Sequence, residues 1–467
     1  MSIAWNREAA AHLARRAGFG ATPAELDTYV RIGLDAAVDH FVHFDHIDNS
    51  ALETELTRLT TLQPGQNNPT YDMTRSGGLQ RWFLHRMVHT ARPLEEKMTY
   101  FWNQVFTSSF AKVGDATLML NQNRTQRALA VARFDDLVLA MTKDPAMLIW
   151  LDNATSTRNR PNENYARELM ELFTLGEGRG YTENDVREVA RALTGWTITR
   201  PQGAPASQFT FFFNSNQHDF GMKTVLGQTG PFDGAEVIDI LLRFSDGGGN
   251  VSGRFLGEQL WTFFAYPEPP ARIVEQLRDV YVGSNHSIRA MLHHLFHMEE
   301  FYEAHTRRRI VRSPVEYIAS AIKLLQAASD FSTPANSLNA MGQFLFYPED
   351  AKGWEGGLRW VNTGTVFARA SFANTLATNR GTSGTRLSPT ALVAGVPLDT
   401  AMDVVRMVAE RLGLSEAPGP TKAVWERYVS ARDDGTRGTW QNTPANVDKK
   451  VRGLVHLMLT SPEFQFS

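Results

Sequence analysis

At 467 residues the chain exceeds one ordinary hydrophobic core, and 42% hydrophobic with 21% charged residues excludes disorder, coiled coil and collagen-like repeats. Lys and Arg number 47 against 50 Asp and Glu, a net charge of -3, so no basic surplus exists to neutralise nucleic acid or hold an anionic membrane. Zero cysteines exclude disulfides, thiolate nucleophiles, Fe–S clusters and Cys-based zinc sites, leaving only His and carboxylates as ligands for any metal.

The first residues carry no basic segment followed by an apolar run, so no export signal is expected, and the chain is cytoplasmic or exported with a partner. Apolar runs such as 137–141 and 146–151 are far too short to span a membrane. Helical periodicity then dominates. The residues from Glu8 to Ala17 form a helix stopped at Gly18-Phe-Gly20, and Thr22-Pro23-Ala24-Glu25 is a capping box with proline at the first helical position. Apolar spacings of three and four recur over 79–89, 94–106 and 115–141. Between 201 and 234 the texture changes to β-prone Gln208-Phe-Thr-Phe-Phe-Phe213 and Lys223-Thr-Val-Leu226, which predicts one short hairpin near 208–226. Helices resume over 234–244, 257–264, 270–282, 287–301 and 314–328, a Gly-rich stretch covers 353–364, and 378–389 has linker composition. The expected architecture is mainly α and multi-helical with one small β-hairpin insertion. Its expected parts are an N-terminal helical lobe (1–200), the hairpin insertion (201–234), a second helical lobe (235–377) and a C-terminal helical segment (378–467). One internal similarity aligns Ile288–Phe301 with Val451–Phe464 without gaps, and more weakly with 137–147.

The stretch from Asp152-Asn153 through Asn162-Glu-Asn-Tyr-Ala-Arg-Glu-Leu-Met-Glu-Leu-Phe-Thr-Leu-Gly176 is the most informative. At 100° per residue, Glu163, Asn164, Arg167, Glu168, Glu171 and Thr174 share one arc, and Tyr165, Ala166, Leu169, Met170, Leu172 and Phe173 the other. Gly176-Glu-Gly-Arg-Gly180 bends the chain, and Thr182-Glu-Asn-Asp185 caps a second helix carrying Arg187, Arg191 and Trp196. The bend lacks the Lys-Ser/Thr of a phosphate loop and a preceding strand, so it binds no nucleotide.

These residues closely resemble the bacterial DUF1800 family, a domain of unknown function. The resemblance rests on Pro161–Gly176, Tyr181-Thr-Glu183, Ala190–Trp196, Pro145–Asn153, His218-Asp-Phe-Gly-Met-Lys223, Leu94–Trp102, His12–Gly20, Lys352–Gly357 and Trp360-Val-Asn-Thr363, in family order along most of the chain. It implies an uncharacterised protein whose relatives look exported and stand beside phosphatase- or sulfatase-like proteins, hence a partner of that kind. The chain departs from the family at Phe101-Trp-Asn-Gln-Val-Phe106, where relatives read Phe-Trp-His-Asn-His-Phe.

The resulting expectation is a hydrolase-like enzyme on a glycan or a sulfate or phosphate ester, or a non-catalytic binding factor for the envelope or secretion. Catalytic candidates are Glu163, Arg167, Glu168, His218, Asp219 and Lys223, because paired carboxylates of unequal acidity and a histidine near neutrality carry acid/base work. Glu163 with Asp219 is the preferred pair, since Glu163 and Glu168 diverge by about 140° round a helix. Binding candidates are Asp152, Asn153, Asn162, Trp196, Lys352, Trp354 and Asn362, with Trp faces suited to sugars. No cofactor or metal is expected. The spacings His40-x2-His43-x2-His46, His85-x3-His89 and His293-x3-His297 lack the zincin pattern, and Asp152 to Glu163 lacks the ligands of an EF-hand. A different oxygen-ligand site built from Asp152, Asn153 and Glu163 stays open. The basic run Arg307-Arg-Arg309 with Arg312 is expected to be a solvated helix end.

Overall fold

The protein is described by a computed structural model covering residues 3–204 and 208–467, so part of the 201–234 insertion lies outside the described residues. Of the chain, 58% is helical, and the described strands form three two-stranded antiparallel sheets. The mainly α architecture follows from local signals that the helices obey. Thr22 accepts from the Glu25 amide while Glu25 reaches back to the Thr22 amide, opening Pro23–Ile32, and Thr182 with Asp185 does the same for Glu183–Ala192. The aligned segments share a break: Ile288–Leu295 is followed by Glu299–Tyr302, and Pro444–Thr460 by Pro462–Gln465, each short helix burying its phenylalanine, Phe301 and Phe464.

Two hydrophobic cores result. One gathers Leu13, Phe41, Trp102, Phe134, Met170, Leu193, Trp261 and Phe301, and the other Phe83, Tyr100, Ile318, Phe372, Val408 and Leu454. The helix Pro93–Val105 runs between them. Leu94, Met98, Phe101 and Trp102 face the first core, Tyr100 faces the second, and every residue from Pro93 to Asn103 is buried. A helix with no wet face must pair its charges inside the protein. Glu96 accepts from Arg86 Nε at 2.8 Å and from Arg127 Nε and Nη2, both at 2.8 Å. Burial would raise its carboxyl, but the Arg127 and Arg86 guanidinium groups outweigh burial and hold it below its ordinary value. Lys97, the next residue, pairs with Glu316, whose other oxygen accepts from the Ser313 amide and hydroxyl at 3.0 and 2.9 Å.

The β region differs from the single hairpin expected. β1 (Trp196–Thr199) pairs with β2 (Thr210–Phe213), Trp196 opposite Phe213, whereas β3 (Lys223–Val225) pairs with β4 (Gln228–Gly230). Leu226 and Gly227, both at positive φ, make the two-residue turn that closes β3 on β4, so the phenylalanine run pairs backward to Trp196. The basic run differs too. Arg312 is 1% exposed, its amide donating to Gln465 O at 2.8 Å and its guanidinium lying 4.1 Å from the Phe464 ring centre. Covered by the last helix, it is a buried arginine pushed down by burial to about 9.

Candidate functional site

The polar arc of Glu163–Glu168 continues into Leu169–Thr174 with a wider turn, Leu175 N donating to Met170 O at 2.9 Å across five residues. Each such turn takes up one extra residue and rotates the residues after it. Thr174, placed on the polar arc by a uniform 100° step, is therefore fully buried, its hydroxyl donating to Leu169 O at 2.6 Å. Asn162 caps this helix, accepting from Asn164 N at 3.0 Å and donating to Leu151 O at 2.7 Å.

An ion-pair ladder joins this helix to Glu183–Ala192. Arg167 donates to Glu171 at 3.2 Å and to Glu183 at 2.9 and 2.7 Å; Arg187 stands 4.0 Å from Glu163; Arg191 holds Glu188 at 2.8 Å and Asp219 at 2.7 Å. Glu163 and Asp219 thus attach to arginines four residues apart, about one 5.4 Å turn of the same helix. The Arg191 hydrogen bond holds the Asp219 carboxyl below its ordinary range. His218 is buried, its Nδ1 2.8 Å from Thr194 O and its ring between Phe213 and Phe220. Lys223 Nζ donates to the carbonyl oxygens of Asp219 at 2.5 Å and Gly221 at 3.1 Å. His218 and Lys223 thus close the turn through backbone carbonyl oxygens, while the Asp219 carboxylate is shared between Arg191 and the Gly221 amide.

Other candidates are scattered. Asp152, at φ 63, pairs with Lys112 at 2.8 Å and shares no contact with Glu163 among the described residues. Asn153 is buried, donating to Trp196 O at 3.0 Å, and Trp196 packs under Lys143 Nζ, 5.2 Å from its ring centre. Asn362 caps Thr363–Thr378, accepting from Thr365 N at 3.0 Å. Of the histidines, His43 and His293 stand 3.7 and 3.4 Å from Asp39, and His297 3.2 Å from Asp35. No group of three or more His, Asp or Glu is placed to hold a metal ion among the described residues.

A cleft of 490 Å³ brings the rest together. Tyr100, Phe101, Gln104 and Val105 line it from the buried helix, Glu171, Leu172, Gly176 and Glu177 from the wide-turn segment, and Lys352, Trp354, Gly356 and Trp360 from the Gly-rich stretch. Gln259, Thr262, Phe263 and Glu316 complete the wall, and Gln259 and Thr262 make no side-chain hydrogen bond among the described residues. Glu168 is not part of its wall but neighbours two residues that are, Glu171 and Lys352. Burial and the neighbouring Glu171 raise its carboxyl above the ordinary value against the pull of Lys352 and Arg167, while Arg167 donates directly to Glu171. Two neighbouring carboxylates in unequal surroundings are the arrangement that separates an acid from a base.

The chain matches the model of the protein of unknown function DUF1800 over residues 12–466. It belongs to the DUF1800 family. No curated protein and no solved structure matches. Four segments that carry the DUF1800 resemblance, Leu94–Trp102, Pro161–Gly176, Lys352–Gly357 and Trp360–Thr363, each contribute to the cleft, although some 250 residues of sequence separate the first from the last. Val105, in the Phe101–Phe106 stretch, lines it as well. Of the residues singled out in the sequence, Lys352 and Trp354 line it; Tyr100, Gln259 and Glu316, which line it too, are not among them. Their helices are ordinary in composition, and only the adjacent charges Glu95-Glu96-Lys97 inside an apolar run signal an unusual surrounding.

Proposed function

We propose that this DUF1800 protein is a hydrolase-like enzyme that binds a glycan in the 490 Å³ cleft and cleaves it with Glu168 and Glu171. The observation that carries the reading is the convergence of four distant motif segments on one cleft walled by aromatic rings, by the unengaged Gln259 and Thr262 and by Glu171, with Glu168 beside Glu171 in different surroundings. Trp354 and Trp360 offer faces for a sugar ring, and Gln259 and Thr262 offer hydrogen bonds to its hydroxyls. Glu168, whose carboxyl burial and the neighbouring Glu171 raise above its ordinary value, gives its proton to the departing glycosidic oxygen. Water attacks the anomeric carbon and passes its proton to Glu171, which accepts a hydrogen bond from Arg167. This replaces the pair Glu163 and Asp219, since each of those is tied to its own arginine. An activity screen over polysaccharides and over sulfate and phosphate esters, with Glu168→Gln and Glu171→Gln alongside, tests it; turnover that survives both substitutions sinks the mechanism.

A second reading is a non-catalytic binding factor that partners a phosphatase- or sulfatase-like protein. It draws on Asn103-Gln-Val105, which leaves the cleft wall without histidine, and on the exposed Phe212, Phe220 and Met222 around buried His218. Glycan binding without turnover, together with co-purification of such a partner from the native host, favours this reading over the first.

A further inference from the structure

A second cavity of 360 Å³ opens on the far side of the buried helix, walled by Ser50–Thr60, Ser76–His89 and Ala116–Ala128 and by the first turn of Pro93–Val105. Its chemistry is unlike that of the cleft. Arg86, Arg92, Arg124 and Arg127 all line it, with Trp82 as the one aromatic ring.

The guanidinium groups fall into two classes. Arg86 is spent: its Nε goes to Glu96 at 2.8 Å and its two terminal nitrogens to Glu53 at 3.0 and 2.5 Å. Arg127 commits Nε and Nη2 to Glu96 and leaves Nη1 open. Arg92 gives Nε to Ile47 O at 2.7 Å and only approaches Glu95, at 3.6 Å. Arg124 makes no hydrogen bond or ion pair among the described residues, and the nearest charges acting on it include Arg127 and Arg86. Four guanidinium groups thus line the cavity with two carboxylates, Glu53 and Glu95, while Glu96 lies fully buried behind them, and Glu95 is pushed toward its neutral form by burial and by Glu96. The arginines are also fixed in place, Arg86 and Arg127 lying 5.2 and 5.0 Å from the Trp82 ring centre.

We propose that this cavity binds a tetrahedral oxyanion, the phosphate or sulfate group of a small ligand, between Arg92, Arg124 and the open edge of Arg127. Open donors come from Arg124 and Arg127 on one helix and from Arg92 at the N-terminus of another, three separate guanidinium groups that suit an ion with oxygens on several sides better than a planar carboxylate that one fork satisfies. An arginine with no counter-ion, set beside two others in a concavity on rigid helices, is a site whose electrostatics an anion completes. The buried helix separates this cavity from the cleft, so anion binding here does not depend on a glycan there.

Calorimetric titration of the whole chain with inorganic phosphate and with sulfate, at constant ionic strength set by chloride, tests it. Saturable binding of either ion is expected. Arg124→Ala, at an exposed residue with no partner to strand, is expected to weaken it about tenfold or more while leaving the melting temperature unchanged. Glu53→Gln, which removes a carboxylate competing at the rim, is expected to tighten it. Arg31→Ala, a distant exposed arginine, is expected to leave it unchanged. Titration with a hexose phosphate and a sulfated monosaccharide then separates the sources: tighter binding than the free ions assigns the site to an ester, and no ester binding assigns it to the free oxyanion. Absence of saturable binding of both free ions and both esters, chloride competing equally, or an unchanged affinity in Arg124→Ala each overturns the proposal.

Discussion

The ladder along Glu183–Ala192 and the cleft beside it use the same residue types under opposite conditions. In the ladder the carboxylates meet guanidinium groups: Glu183 meets Arg167, Glu163 meets Arg187, and Glu188 and Asp219 meet Arg191. Beside the cleft, Glu168 is half-buried next to the like charge of Glu171, and in the cleft wall Gln259 and Thr262 make no side-chain hydrogen bond among the described residues. Paired charges fix two helices and a turn relative to one another; unpaired ones store the capacity to hold or move a proton on something that enters. Polar residues within one family motif therefore divide between scaffold and site, and only their partners tell which is which.

That division can be broken at its strong end first. Glu168→Gln and Glu171→Gln are each expected to lower turnover on a cleaved glycan by about 10²–10⁴-fold with unchanged melting. Because Glu168 must be protonated to act, wild-type turnover should fall as pH rises through its raised pKa, and this limb should vanish in Glu168→Gln. A wild-type profile flat on the alkaline side contradicts the assignment.

Asp144 lies outside both regions, buried with no cation and pushed up by burial to about 7. Its folded pKa exceeds the unfolded 3.8, so its contribution to stability is full below 3.8 and is lost as pH rises to about 7. Asp144→Asn keeps an acceptor for Met147 N and Gln122 Nε2 and should remove that loss, which is about 1.4 kcal/mol per pH unit and up to about 4 kcal/mol in all. Urea unfolding at pH 5 and pH 8 measures it, and parallel pH slopes for the two proteins argue against an ionised, unpaired Asp144.

Within the ladder, Arg191→Ala removes the links to Glu188 and Asp219 and a hydrogen bond to Met222 O, and should cost about 1–2 kcal/mol in urea unfolding without changing KM. A changed KM would instead place Arg191 with the cleft. Smallest of all, Arg187→Ala should stay within about 0.5 kcal/mol, since its contact with Glu163 is 4.0 Å long and exposed on both sides.

Local physics was legible in the residues and long-range physics was not. Thr22 with Glu25 and Thr182 with Asp185 announce their helices because both partners of each cap lie within four residues of one another. The polar arc held through Glu168 and failed at Thr174, because nothing in Leu169-Met-Glu-Leu-Phe-Thr174 marks a bond across five residues instead of four. The phenylalanines of β2 were assigned to a forward hairpin because their partner, Trp196–Thr199, lies on the other side of a connecting segment. Of the cleft lining, Lys352 and Trp354 stood out in the sequence as polar or aromatic residues of family-like motifs; Tyr100, although inside such a motif, and Gln259 and Glu316, outside any, face the cleft by virtue of which helices pack together.

Helix Pro93–Val105 carries a consequence for how the molecule comes apart. Its two adjacent interior charges take their counter-ions from different stretches, Glu96 from Ser76–His89 and Ala116–Ala128, and Lys97 from Pro314–Leu324. Detaching Pro314–Leu324, or both of the stretches that hold Glu96, strands a charge in an apolar setting, at a cost comparable with a large share of a protein's total stability. The helix thereby ties early and late parts of the chain into one cooperative event. Its amides should exchange hydrogen only through global opening, and a protease should find no long-lived half-folded form to trim.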